Sequence, residues 1–473
     1  VLRTRRRALA AVILPAVAIA AAVLLLGREE HPSFGPGEID RGAPDPFAWA
    51  PGRRAELEAR AAAGFSHVIY AKSPDGVAAT AARVARWRPL VEDAADTAGV
   101  DPELLEAIVF LESAGRPEVV AGGNLEGAVG LTQILAETGR NLLGMRVDLR
   151  ASKRLTKRIR RAERRGQGVR VRLLERRRRK VDERFDPRKA LAATGRYLET
   201  ARERFGREDL AIASYHMGIG NLGSVLTAYG EGRPSYAQLY FDSTPWSHRR
   251  AYGLLASFGD DSSTYWWRVL ASRQAMRLYR DDPAALRRAA ALQTAKASAE
   301  EVLHPESSTR VFGDPGELDD AYREGSLRPF PARAQGLRRD PRMGELAKRL
   351  DADPSLYRGL RPAAFALAVY MADIVRRAGG GGAPLTVTST VRDRGYQRLL
   401  VRRNREATAR YSLHTTGWAF DVLRRYSGPA QARAFQFALD RLQALDLIAW
   451  VREPAAIHVT ASSEARVLER LVQ

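Results

Sequence analysis

Glu112 is the residue whose surroundings first point to chemistry. Asp101 and Pro102 read as an N-cap and a first helical residue, and Leu104, Leu105, Ile108 and Val109 form an apolar stripe behind them. Glu112 follows Ile108 by four residues and Leu105 by seven, so helical spacing puts it on that stripe, whereas Glu106 falls on the polar side. A carboxyl among apolar neighbours keeps its proton to higher pH, which a general acid working near neutrality requires. Ala114, Gly115 and Pro117 end the helix and leave Glu112 in its last turn. The plainer alternative is a surface glutamate that reaches water or meets Arg116. Residues 127–134 then form a small-residue turn in which Gln133 offers donors and an acceptor to a polar ligand.

A second constellation lies near the C-terminus. Within 412–421, His414 and Asp421 stand seven residues apart, and His458 sits between Ile457 and Val459 in a short apolar strand. Two imidazoles and one carboxylate leave the fourth position of a tetrahedral zinc open, as a catalytic site needs. Zinc there brings the pKa of its bound water to about 7 and polarises a scissile carbonyl. A single histidine among apolar residues is more often core than ligand; the expectation rests on the three together.

The elements that must position these groups are mostly helical at first. Residues 31–77 read as a linker rich in Pro, Gly and Asp at its start, with a brief alternation at 66–70, and helical periodicity begins near Ala78. Residues 185–187 read as a helix start, and residues 211–217 as a helix carrying Tyr215. Trp246, Tyr252, Tyr265, Trp266 and Trp267 make an aromatic tail; most such rings are core, and one or two are expected to line the cleft beside Glu112. An alanine-rich stretch and a Pro-Gly-Arg-rich one make 276–360 a connector. Residues 361–473 then form a smaller α+β domain, with a helix at 362–377 and a β-branched strand at 385–389.

Composition narrows the partners. With 76 Lys and Arg against 55 Asp and Glu, the chain carries a formal charge of +21. Residues 146–189, an insertion into the helical domain at 78–275, hold 20 of the basic and 6 of the acidic side chains. Such an insertion is a solvated helix or a contact for anionic wall polymers or lipid headgroups. No aromatic residues interleave its basic core, so nucleic acid is not expected. Cysteine is absent, which excludes disulfides and thiolate metal sites. Residues 8–26 run without a charge behind four arginines, about the length a bilayer core demands, so residues 1–30 are expected to be a cytoplasmic stub and an uncleaved transmembrane anchor. That places the rest of the chain on the outer side of that membrane.

Glu112-Ser113, Gly130-Leu131-x-Gln133 and Ala213-Ser214-Tyr215-His216-x-Gly218 together resemble the soluble lytic transglycosylase family across roughly residues 87–271. The resemblance implies a lysozyme-like helical domain that cuts the MurNAc-GlcNAc bonds of peptidoglycan without a cofactor. It also implies that Glu112 is the single acid/base, that Ser113, Gln133 and Tyr215 bind or support the glycan, and that the muramic 6-hydroxyl attacks to give a 1,6-anhydro product. His216 stands where that family has asparagine, and 136–138 lacks its usual proline. Ser389-Thr390-Val391-Arg392, Gln397, Ser412-x-His414, Asp421 and His458 resemble the zinc D-alanyl-D-alanine carboxypeptidases of the VanY and VanX kind. That resemblance implies His414, Asp421 and His458 as zinc ligands, Arg392 steadying the substrate carbonyl oxygen, and Gln397 holding the arginine or the peptide. Ala455 occupies the position of the usual catalytic glutamate, and Glu453 is the nearest acid to replace it. The expectation is a membrane-anchored peptidoglycan-remodelling enzyme, with a non-catalytic wall binder or a secretion-machine scaffold as the alternatives.

Overall fold

Asp101 caps the helix Pro102–Ser113 by accepting the Glu103 backbone N–H at 2.8 Å, and Ala114 ends it in the left-handed region with φ 52°. In the computed structural model, which describes residues 37–472 except 41, 231, 404–407 and 409, this helix is the centre of a helical unit. Arg88–Ala98, Val77–Ala85 and Tyr265–Asp281 pack around it. Enclosure on all sides corrects one expectation. Glu106 is not on a solvated face: it is 1 % exposed and held between Arg88 at 3.3 Å and Arg280 at 2.5 Å. A helix with neighbours all round has no polar side, and a carboxylate there needs cationic partners.

The expected linker is also corrected. Residues 54–64 and 67–71 are helical, and Leu57 and Ala61 are fully buried in the main core. The alternation at 66–70 is therefore helical, since tertiary packing overrides so short a pattern. Arg54–Gly64 runs directly against the C-terminal helix Pro429–Ala444, where a Cβ on Gly64 would lie 1.8 Å from the Gln443 carbonyl oxygen. Further back, Ile39 forms a bridge with Val472 and Asp45 accepts from the Tyr370 hydroxyl at 2.8 Å.

The basic insertion folds as two packed helices, Leu149–Glu163 and Gly168–Val181, closed by a bridge between Val147 and Asp182. Most of its cations face solvent, yet Arg178 turns inward to Glu118 and over the Phe185 ring at 3.8 Å.

A six-stranded sheet organises the C-terminal unit, in the order Arg333–Ala334, Leu337–Arg339, Leu385–Ser389, Ala419–Leu423, Ala456–Ala461, Ile448–Arg452. Leu337–Arg339 and Leu385–Ser389 are parallel, and every other pair is antiparallel. Helices Pro362–Arg377 and Pro429–Ala444 pack together and carry much of its apolar core. The connector reading of 276–360 is corrected by the same sheet, whose first two strands come from that stretch. Phe312, Leu318, Leu346 and Tyr357 also form a small core with Val391 and Tyr396.

The membrane anchor is the remaining correction. No helix among the described residues is long and apolar enough to cross a membrane, and residues 8–26 lie outside the described residues. The transmembrane part of the expected architecture, anchoring as part of the function, the membrane as a partner through an N-terminal helix and a single-pass inner-membrane location therefore have no spanning helix behind them among the described residues.

Candidate functional site

The central helix delivers Glu112 to a cleft of about 250 Å³ lined also by Ile69, Phe110, Leu111, Asp261 and Arg268. Its Oε1 accepts a hydrogen bond from the Tyr265 hydroxyl at 2.7 Å. Burial pushes the carboxyl up to about 7, against the pull of that hydrogen bond. The residue keeps an edge on the cleft while its carboxyl is desolvated by the protein around it. Tyr265 occupies Oε1, so Oε2 is the oxygen left to carry a transferable proton. The only other carboxylate in this lining, among the described residues, is Asp261, and Arg268 pairs with both of its oxygens.

Tyr215 lies beside this pair, its ring stacked on Tyr265 with centroids 6.4 Å apart. Its hydroxyl donates to the Thr132 carbonyl at 2.7 Å and lies 3.1 Å from Thr194 Oγ1, which ties helix Glu208–Met217 to the glycine-rich turn. His216 also stacks on Tyr265, with ring centroids 5.2 Å apart and Nδ1 2.9 Å from Ser262 Oγ. Ser113 is buried, and its hydroxyl donates back to the Val109 carbonyl at 3.3 Å. Gln133 is held in the left-handed region with φ 51°, its amide donating to the Gly130 carbonyl at 2.8 Å.

What holds that turn is a pair from the far end of the basic insertion. Arg184 and Asp182 are both 0 % exposed and pair at 2.9 Å. Arg184 also donates to the carbonyls of Leu125 at 2.8 Å, Gly127 at 3.1 Å and Ile134 at 3.2 Å. Gly130, at φ +83°, lies so close that a Cβ would sit 1.9 Å from the Arg184 carbonyl oxygen. Neither Tyr265 as partner of Glu112 nor Arg184 as brace was singled out in the sequence, because both contacts join residues far apart along it.

The C-terminal constellation is built by strand register. Asp421 and His458 are direct partners on adjacent antiparallel strands, and Ser389 is the partner of Asp421 on its other side. His414 comes from the short turn Leu413–Thr416 ahead of the Asp421 strand. Ligand atoms of His414, Asp421 and His458 all lie within 4.8 Å of one another, so these three form a cluster able to hold a metal ion. The donor set fits one. His414 Nδ1 lies 2.8 Å from the Thr390 carbonyl and must donate to it, which leaves the Nε2 lone pair 3.2 Å from Asp421 Oδ1. Burial and the Arg392 guanidinium push this imidazole down to about 4. A lone pair facing a carboxylate oxygen is satisfied by a cation between them.

The other predicted residues gather around this cluster. Arg392 reaches Asp421 Oδ2 at 3.3 Å and Ser389 Oγ at 2.6 Å, and donates to Gln397 Oε1 at 3.0 Å, so Gln397 holds the arginine. Glu453 lines the same cleft of about 550 Å³ as His414, Asp421 and His458. Glu300 and Lys296, from the stretch read as connector, line it as well. His458 Nε2 lies 3.0 Å from Glu300 Oε2, a partner that nothing in the local sequence signals.

The helical unit thus presents one proton-holding glutamate, at the end of its central helix, to a cleft whose other carboxylate among the described residues is paired with Arg268. Residues 89–156 and 167–236 match the family described as Transglycosylase SLT domain, so the chain contains an SLT-family lytic transglycosylase domain. The break in the match falls within the basic insertion. Over 69 residues, 15 % of this chain, it is 39 % identical to the endo-type membrane-bound lytic murein transglycosylase A of Citrobacter koseri, covering 32 % of that protein. It is 38 % identical over 69 residues to the protein of the same name from Salmonella paratyphi B, again covering 32 % of it. The chain thus spans about a third of the length of these curated relatives.

Proposed function

We propose that this chain remodels peptidoglycan, with the helical unit cleaving the MurNAc-GlcNAc bond through Glu112. The observation that carries this reading is a carboxyl raised to about 7 in a cleft whose other carboxylate is taken by an arginine. Glu112 gives its Oε2 proton to the glycosidic oxygen as the bond to the muramoyl carbon breaks. The resulting carboxylate then removes the proton of the muramic 6-hydroxyl, whose oxygen closes on that carbon. Both protons are accounted for and no water enters. Tyr265 steadies Oε1 throughout, and the Tyr215-tethered turn presents Gln133 to the glycan. Mass spectrometry of digested sacculi tests the route: 1,6-anhydro ends are expected, and ordinary reducing ends would replace it with hydrolysis.

For the C-terminal unit the reading is a zinc site that cleaves or grips the stem peptide. His414, Asp421 and His458 would hold the ion, which supplies a polarised carbonyl and an activated water. Arg392, fixed by Ser389 and Gln397, faces the cleft to steady a carbonyl oxygen. Glu453 is the acid placed to move a proton there. Metal analysis of the purified chain and of His414→Ala tests this part; a wild-type protein without stoichiometric metal would reduce the unit to a peptide binder.

A further inference from the structure

The geometry points to Glu300 as a positioning residue for the metal cluster, one that holds Nε2 of His458 and so presents Nδ1 to the ion. This rests on reading His414, Asp421 and His458 as a metal site. The two histidines are oriented in different ways. His414 is fixed through Nδ1 by the Thr390 carbonyl at 2.8 Å and offers Nε2 toward Asp421. His458 is fixed the other way round, with Nε2 3.0 Å from Glu300 Oε2 and Nδ1 2.9 Å from Asp421 Oδ1. Both offered nitrogens thus converge on one oxygen, Asp421 Oδ1.

Glu300 is itself held for this task. It is buried, its Oε1 pairs with Lys296 Nζ at 2.9 Å, and its Oε2 also accepts from Thr460 Oγ1 at 3.3 Å. A carboxylate on the outer nitrogen of a ligating histidine fixes the ring and makes the inner nitrogen a stronger donor. Glu300 belongs to the short helix Glu300–Leu303, which follows the last long helix of the helical unit, Pro283–Gln293. The stretch that leaves the glycan-cutting unit therefore supplies the outer support of the metal site.

The test uses the full chain loaded with Zn2+ or Co2+. Glu300→Ala is expected to weaken Zn2+ binding about 10- to 100-fold in chelator competition, and to change the visible absorption of bound Co2+. Glu300→Gln keeps an amide oxygen for Nε2–H but no charge, and is expected to fall between wild type and Ala. Lys296→Met removes one of the groups that hold Glu300 and is expected to weaken Zn2+ binding by less than Glu300→Ala does. Cleavage of sacculi, which uses Glu112, reports that each variant is folded. Wild-type affinity and spectrum in Glu300→Ala, or in Glu300→Gln should the first not fold, would overturn the role of Glu300 alone. A wild-type chain that binds neither metal would overturn the metal reading together with it.

Discussion

Glu112 holds its proton more tightly in the folded chain than in the unfolded one, since burial raises it from 4.5 to about 7. The sign follows: this group's contribution to stability is fully present below about pH 4.5 and is lost as pH rises through 7. Glu112→Gln is therefore expected to abolish glycan cleavage while gaining about 3 kcal/mol of stability at pH 8, with no gain at pH 4. Urea unfolding at the two pH values checks it. Wild-type cleavage should likewise decline as pH rises through 7, because the acid must start protonated. Tyr265→Phe removes a hydrogen bond that favours the ionised form, so the alkaline limb of the pH–rate profile is expected to move to higher pH. An unmoved limb would mean that Tyr265 packs beside Glu112 without tuning it.

At the scale of elements, the glycine turn is where local conformation and distant packing meet. Gly130 needs both a positive φ and the missing Cβ, because the Arg184 carbonyl occupies the space a side chain would enter. Gly130→Ala is expected to cost on the order of 3 kcal/mol and to raise KM for glycan by displacing Gln133, read by thermal unfolding and by kinetics on muropeptides. Arg184→Met leaves Asp182 buried without its cation and should cost about 3–5 kcal/mol. The basic hairpin then has a structural duty besides its exposed charge, and it is one that net charge could not reveal. A mixed outcome was legible in this region: a helical insertion was expected and two helices are present, but the inward turn of Arg178 and Arg184 was not legible, since arginine-rich stretches look alike whether solvated or buried.

For the whole molecule, one apolar core runs through both units. Arg441 of the C-terminal helix donates to the carbonyls of Phe241, Tyr240 and Ser243, while Trp246 and Tyr252 pack edge-on against Phe437. Calorimetry is expected to show both units unfolding in a single cooperative transition; two transitions would show that the interface contributes little. Saturating Zn2+ at about 100 times Kd should then stabilise the entire chain by about 2.7 kcal/mol, not just the sheet. The expected tethers misread for the same kind of reason: their Pro, Gly and charged residues look solvated, while Leu57 and Ala61 are buried against helices about 200 or more residues away and Phe312 packs into the small core with Val391 and Tyr396.

By itself the sequence determined the groups whose meaning is local: the Asp101 cap, the apolar stripe ending at Glu112, the helix stop at Ala114, Gly115 and Pro117, and the spacing of His414, Asp421 and His458. Helical and strand periods carry such information within a few residues. Only the tertiary structure decided that Glu106 is a buried ion pair, that Tyr265 meets Glu112, that Arg184 braces the turn of Gln133, and that Glu300 stands behind His458. Each of those depends on which distant elements pack together, and pairing at long range leaves no period in the chain for a reader to find.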